Sequence, residues 1–492
     1  MPSKEKIHIV WFKRDLRIQD NEALFHALNS EHRCLLLYIF EPSLIADEHY
    51  SERHWNFVKE SIRDLNRQLA HVQSQVLAIQ GEVIPILRQL QEHFHINKLF
   101  SHQETGIRIT YDRDLEVQAF CQAQQIEWQE CVNNGVFRGR KNRTNWKEDW
   151  EYYMSSPLFN ISLNAKQLVT LPEIQSLEEQ FQFVPLYTPS HTPFQKGGTQ
   201  LGLRYLQSFF SGRYVHFNKH ISKPLLARKS CSRLSPYLAW GNLSIRQVWQ
   251  AAKKFRKESS HQRALDGFRS RLQWQAHFIQ KFEMEDRMEF QSVNRGFLQL
   301  VKPINHDFLA AWKTGKTGFP LVDACMRCLV ETGYINFRMR ALLVSFATHH
   351  LWQPWQAIAP HLAQQFLDFE PGIHFPQLQM QAGETGINTL RIYSPIKNSL
   401  KHDADGTFIK KWVPELAHLP LPYVHEPYKM TALDQQLHQF TLGEDYPFPI
   451  VNLEHSRKYA GDTLWGLKDD PLVKKECLRI LQRHVINPSK SR

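Results

Sequence analysis

Two consecutive folds are predicted by this chain, an N-terminal doubly wound α/β domain with a parallel sheet and a larger all-α domain after it. Three observations predict them. Short apolar strands alternate with helical stretches at the start, a proline-rich stretch interrupts the pattern, and helical periodicity with few strand signals fills the remainder. The expected limits are 1–150 for the α/β domain, 151–200 for a connector and 201–492 for the helical domain.

The elements follow in order. IHIVWF (7–12) reads as a buried strand, KRDLRIQDN as a polar loop, and a helix begins at Glu22 with Asp20 or Asn21 as its cap. CLLLYIF (34–40), VLAIQ (76–80), KLFSH (98–102) and IEWQE (126–130) are further strands, separated by helical stretches such as 52–70 and 110–124. The G-x-G-x-x-G fingerprint is absent, so a standard dinucleotide site in this half has no support. The connector holds Pro157, Pro172, Pro185, Pro189 and Pro193 among many polar residues. Beyond it, Leu265, Phe268, Leu272, Ala276, Ile279 and Phe282 recur at spacings of three and four, marking one helix with a core stripe. Arg271, Trp274, Gln275 and Phe278 fall on another of its faces.

Composition narrows the function classes. The 492 residues are 42% hydrophobic, enough for real cores. No apolar run reaches the roughly 18–20 residues of a membrane span, and the first thirty residues lack a signal-peptide layout. A cytoplasmic protein with no membrane partner is expected. Lys and Arg exceed Asp and Glu by 60 to 49, a net charge of +11. Such a surplus favours polyanions through counterion release, and its even spread favours a structured groove over a basic tail. Diffuse basic character serving solubility is the bland alternative. The seven cysteines are scattered and odd in number, and the single C-x-x-C (Cys325, Cys328) lies in an apolar helical run. Buried thiols are expected, with neither disulfides nor a metal site.

Several segments carry more than local structure. VWFKRDLRIQDNEAL (10–24) opens the chain; SGRYVHF (211–217) and CSRLSPYLAWGNLS (231–244) follow the connector. GKTGFPLVDACMRCLVETGYINFRMRALLVSF (315–346), LDFEPGIHF (367–375), RIYSPIK (391–397) and DADGTFIKKWVPEL (403–416) come after. In this order and spacing they resemble the cryptochrome/photolyase family. The resemblance implies an α/β antenna domain, an all-helical domain, one noncovalent FAD and a monomer. Its implied cofactor residues are Tyr214, Cys231, Ser232, Arg233, Leu234 and Ser235 around the pyrophosphate, where hydroxyls and backbone N–H groups at a helix start favour an anion. Arg340, Asp368, Glu370 and His374 would face the isoalloxazine ring, the first two as an ion pair. Cys231 stands where the family has Thr, which removes one hydroxyl. His374 replaces the usual Asn or Asp beside flavin N5, where it could hydrogen-bond or protonate reduced N5 near neutral pH. Glu104 in SHQETG (101–106) matches a glutamate that holds an antenna pterin in relatives; a folate, deazaflavin or lumazine would all serve.

The subclass is set by departures from that pattern. Trp274 matches the tryptophan that stacks on a flipped lesion, but Arg271 stands for the dimer-binding acid and Gln275 for the following Arg. Phe337 replaces the pocket Asn before Arg338, and Met380 replaces a second stacking Trp. Of the three-tryptophan relay only the middle member, Trp355, is kept; Leu378 and Lys302 occupy the other places, leaving Trp352 and Tyr393 as substitute electron donors. The leading reading is light-driven repair of pyrimidine photoproducts in damaged DNA, single- or double-stranded, with Trp274, Arg340, Asp368 and His374 as the working residues. A cryptochrome-type photoreceptor is the alternative, and a nucleic-acid-binding flavoprotein without light-driven turnover a third.

Overall fold

In a computed structural model, which describes residues 4–189 and 191–485, the first strand shows why the chain folds as it does. β1 (Lys6–Phe12) is buried on both faces, and its residues divide between two cores. Ile7, Ile9 and Trp11 enter one apolar cluster with Leu35, Leu37 and Leu77; Val10 and Phe12 enter another with Leu36 and Phe40. The period of two sends successive side chains to opposite faces, and a run apolar at nearly every position needs cover on both. β2 (Arg33–Phe40), β3 (Leu77–Gln80), β4 (His95–His102) and β5 (Glu127–Cys131) complete an all-parallel sheet in the order β3-β2-β1-β4-β5. Strand order reverses between β1 and β4, so a crevice opens at their carboxyl ends.

The loop after β1 is fixed by its own polar residues. Asn21 caps the helix Glu22–Leu28, its Oδ1 accepting from the Leu24 N–H at 3.0 Å. Asp20 instead takes a left-handed conformation and pairs with Arg246 at 2.5 Å in the helical half. The expected connector is less of a wanderer than its prolines suggest. It forms the helix Leu171–Glu178, and its backbone bonds to the sheet through Val169 N to Cys34 O (3.0 Å), Gln80 N to Gln182 O (2.8 Å) and Val184 N to Ala78 O (3.2 Å). Proline limits regular structure without preventing edge pairing.

From Thr199 onward every named element is helical. The long helix Gln262–Met284 buries the whole predicted stripe. Cys325 and Cys328 are buried and reduced inside Pro320–Thr332. The cluster that takes Val10 and Phe12 continues without a break into Tyr237, Trp240, Leu243 and Phe369, so the two halves share one core. They meet closely at Gly241, whose positive φ of 73° and surroundings leave no room for a side chain: a Cβ there would lie 2.2 Å from the Arg14 carbonyl oxygen. No helix among the described residues is long and apolar enough to cross a membrane.

Candidate functional site

The polar residues of the helical half converge around one ion pair. Arg340, on the helix Phe337–Ser345, donates from Nη2 to Asp368 Oδ2 at 2.8 Å and from Nε to the Ile335 carbonyl at 3.0 Å. Its guanidinium lies 4.0 Å over the Phe366 ring. Burial alone would raise the Asp368 carboxyl, but the charge and hydrogen bond of Arg340 prevail and hold it below the usual range, with the Ser235 hydroxyl adding to the effect. Ser235 opens the short helix Ser235–Ala239. Before it, Arg233 adopts a left-handed backbone, stacks 3.9 Å over Tyr334 and bonds Gln195 Oε1 at 2.7 Å. It has no carboxylate partner among the described residues, and burial lowers its basicity.

The loop itself is clamped from behind. Arg213 donates to the carbonyls of Cys231 (2.5 Å) and Ser232 (3.3 Å), a support role that sequence matching passed over although Arg213 stands in SGRYVHF. Leu234 is buried beneath the loop, as is Cys231. Tyr214 is set apart from this group: its hydroxyl bonds Ser259 at 2.7 Å.

One atom tests whether FAD suits this cradle. Asp368 Oδ1 is buried and has no hydrogen-bond partner among the described residues. A buried acceptor calls for a donor, and a flavin offers an imide N–H and ribityl hydroxyls, while its phosphates suit the uncompensated Arg233. The residues fit the group.

Glu370, which caps the helix Pro371–Gln381, and His374 within it border the cradle. Burial raises the Glu370 carboxyl while Arg14, 3.6 Å away on the β1 loop, opposes the rise. Arg14 also donates to the Ala239 carbonyl at 3.0 Å and lies 4.7 Å over Trp240, so one arginine ties the sheet to the cradle. His374 corrects an expectation. Burial, and then the neighbouring His49, push it down to about 3. It is neutral near pH 7, with Nε2 donating to the Ala359 carbonyl at 3.0 Å. Its Nδ1 is left as an acceptor, so the side chain can receive a hydrogen bond but has no proton to give.

A second group lies on the helix Gln262–Met284. Trp274 is 50% exposed, and its ring stacks on Phe278 at 5.8 Å and 29°. Arg271 is exposed, and neither it nor Gln275 makes a hydrogen bond or ion pair among the described residues. Phe337 is 45% exposed and Met380 half-buried. Arg338 is not free: it donates to the Tyr393 hydroxyl at 2.8 Å. Sequence reading missed Arg143, in the basic run 138–143. It is buried against Trp146, donates to the His277 carbonyl at 2.6 Å and leaves Nε and Nη1 unpartnered. Burial holds Lys281 down at about 8 and His277 at about 3. The Arg143 guanidinium thus stands behind the neutral His277, whose ring meets that of Trp274 at 5.4 Å.

The redox candidates are dispersed. Trp355 is fully buried, its ring 6.5 Å from that of Phe375, which lies 5.2 Å from His374. Trp352 packs on Tyr459 at 4.9 Å beneath the Lys302 ammonium. Leu378 is buried and offers no oxidisable group.

A third group occupies the crevice where strand order reverses. Trp11, Lys13, Arg14, Glu41, Tyr50, Trp55 and Glu104 line a narrow pocket there. Glu104 is bound to Arg113 at 2.6 Å; Arg113 also holds Glu41 (2.7 Å) and Asp114 (2.8 Å), and Lys13 reaches Asp114 at 3.1 Å. Glu41 is raised to about 7 by burial, against the pull of Arg113. The Trp55 indole nitrogen and Arg14 Nη1 are buried without partners among the described residues.

Fold and cradle together define a flavoprotein with a sheet domain packed on its FAD-binding helices, and comparison with known proteins agrees. Residues 8–151 match the family model of DNA photolyase, and residues 268–466 match the FAD binding domain of DNA photolyase. The chain is 25% identical to a deoxyribodipyrimidine photo-lyase of Alkalihalophilus pseudofirmus, over 94% of this chain and 98% of that one. It is 27% identical to a cryptochrome DASH of Gloeobacter violaceus, over 92% and 94%. Among solved structures a Synechocystis cryptochrome superposes with a TM-score of 0.84 at 23% identity, covering 94% of this chain and all of the other. The chain belongs to the cryptochrome/photolyase family.

Proposed function

We propose that this protein repairs ultraviolet-induced pyrimidine photoproducts in DNA, using light absorbed by FAD. Held in the Arg340–Asp368 cradle, reduced FAD would supply the light-driven one-electron chemistry that splitting a photoproduct needs. The chain's own residues position the partners. Arg340 and Asp368 orient the flavin, Arg233 and Ser235 meet its phosphates, and neutral His374 offers Nδ1 as a hydrogen-bond acceptor. Trp274 stacks on the flipped base, while Arg271 and Gln275 present free polar groups to its edge or phosphates.

The observation that carries this reading is Trp274, half exposed and backed by Phe278 beside an arginine with no partner among the described residues. Exposed aromatics beside free cations suit a base next to a phosphate. The deciding experiment supplies reduced protein with ultraviolet-damaged single- and double-stranded DNA, with and without blue light. Light-dependent loss of photoproduct is expected, and its absence on both substrates refutes the reading.

A photoreceptor is the second reading, favoured by Phe337, an exposed apolar side chain where lesion contact would be polar. Turnover without repair, together with a light-dependent change at the protein surface, would select it. The crevice at the sheet's carboxyl edge is proposed as the antenna site, since its aromatic walls, with the Trp55 indole N–H and Arg14 Nη1 that have no partner among the described residues, suit a flat chromophore with acceptor groups. Glu104, engaged by Arg113, shapes that site from its floor. The protein is proposed to act as a cytoplasmic monomer.

A further inference from the structure

Trp355 does not end in apolar packing. Its indole N–H donates to Ser292 Oγ at 3.2 Å, the Ser292 hydroxyl donates to Glu384 Oε2 at 2.6 Å, and Glu384 Oε1 accepts from Lys302 Nζ at 3.0 Å. All four residues are buried: Trp355 0%, Ser292 2%, Glu384 5% and Lys302 7% exposed. Lys302 also donates to the Thr348 carbonyl at 3.3 Å, and its ammonium lies 4.8 Å over the Trp352 ring. A buried carboxylate and ammonium are costly to place, and here they are spaced from a tryptophan by a single hydroxyl of the correct polarity. Among the described residues His349 also faces Lys302; burial, and then Lys302, push it down to about 3, so it is neutral and takes no part.

We propose that Trp355, Ser292 and Glu384 form a proton-coupled electron donor: when Trp355 loses an electron, its indole proton passes through Ser292 to Glu384. The inference rests on the reading that Trp355 supplies an electron to oxidised, photoexcited FAD. The step balances within the protein. Trp355 gives one electron to the flavin and its N–H proton to Ser292 Oγ; Ser292 passes its own hydroxyl proton to the Glu384 carboxylate. A neutral indolyl radical, a protonated Glu384 and a charged Lys302 remain, until an external thiol returns an electron and the proton moves back. Losing the proton removes the driving force for the electron to return at once.

Lys302 has two effects in this arrangement. Its hydrogen bond to Oε1 holds the Glu384 carboxylate in place as the acceptor. Its charge over Trp352 also disfavours a positive hole on that ring, because a cation–π contact stabilises only the neutral aromatic. The hole therefore stops at Trp355, although Trp352 lies within the same neighbourhood. The aromatic contacts from His374 through Phe375 to Trp355 provide a packed route that passes by Leu378.

Transient absorption after a flash, on protein holding oxidised FAD, separates the cationic and neutral indole radicals by their visible spectra. In the wild type the neutral radical is expected, forming faster in water than in heavy water. Ser292→Ala is expected to slow that conversion on the order of 100-fold, the usual worth of a positioned base, leaving the cation visible. The paired change Glu384→Gln with Lys302→Met removes both charges together and is expected to do the same; flavin content and Tm show whether each variant is folded. If Trp355→Phe leaves the radical signal intact, another residue is the donor, and both the electron route and this inference fall. If Trp355→Phe abolishes the signal but the Ser292 and Glu384 variants deprotonate at the wild-type rate, the electron route stands and the proton route is overturned.

Discussion

The flavin cradle and the Trp274 face sit in one helical domain and differ in almost every physical respect. At the cradle a buried Asp368 carboxylate pairs with a half-buried Arg340, and Asp368 Oδ1 and Arg233, which has no carboxylate partner among the described residues, call for a ligand. Beside Trp274, Arg271 is exposed and Gln275 partly so, and neither is paired among the described residues. The first arrangement specifies a single resident molecule. The second suits a transient polymer with many interchangeable contacts. The difference separates variants that lose the cofactor from variants that lose only the DNA.

The sharpest break of that contrast is at Asp368. Asp368→Ala leaves the half-buried Arg340 guanidinium without its charged partner, a change worth about 1.5–3 kcal/mol. FAD should be lost on gel filtration, read as the flavin-to-protein absorbance ratio, while DNA affinity of the remaining protein persists. Retention of full flavin would show that the ion pair does not hold it. Next in size, Trp274→Ala should cost on the order of 1–3 kcal/mol in preference for damaged over undamaged oligonucleotide, with flavin content unchanged. Equal preference in wild type and variant would remove Trp274 from the lesion face. Smaller again, Arg271→Ala should weaken binding modestly and reduce the slope of log K against log salt by roughly 1, as one phosphate contact is released.

Buried histidines give the fold a pH dependence of its own. Burial holds His54 and His361 at about 4 and His349 and His374 at about 3, so all four are neutral in the folded protein near pH 7. Each lies below its unfolded value of 6.5, so the unfolded chain binds more protons between the two values. Stability should therefore be flat above about pH 6.5 and fall as pH drops below it. Tm measured at about pH 7.5 and about pH 5.5 should decline in the wild type, and less in His374→Gln. An unchanged difference would place the acid sensitivity on the other histidines.

What could be read in the sequence follows from which interactions are local. Strand and helix periodicity depend on neighbours within a turn or a strand, and the five strands and the stripe of Gln262–Met284 appear within a few residues of expectation. Arg340 and Asp368 meet across 28 positions and were reachable only by resemblance. The support from Arg213 and Arg14 was not, because carbonyl acceptors leave no mark in a sequence. The neutral state of His374 depends on burial by distant elements. The hydroxyl link from Trp355 to Glu384 joins residues 292, 355 and 384 from three separate segments, and no spacing rule connects them.

The alternation of β1 between two cores has a consequence for how the chain acquires its structure. Ile7, Ile9 and Trp11 are covered by side chains from roughly the first 180 residues, whereas Val10, Phe12, Leu36 and Phe40 enter a cluster that begins with the helices Glu22–Leu28 and Glu52–Leu69 and runs on to Trp240, Leu243 and Phe369. During synthesis that second face is therefore covered in part by its own helices, while the side that meets Trp240, Leu243 and Phe369 waits for sequence that emerges much later. An exposed apolar sheet face is a hazard for association with other chains. The family-model boundary at residue 151 is a boundary of sequence alone. A fragment cut there would keep the helices Glu22–Leu28 and Glu52–Leu69 but expose the apolar side chains that continue into Trp240, Leu243 and Phe369.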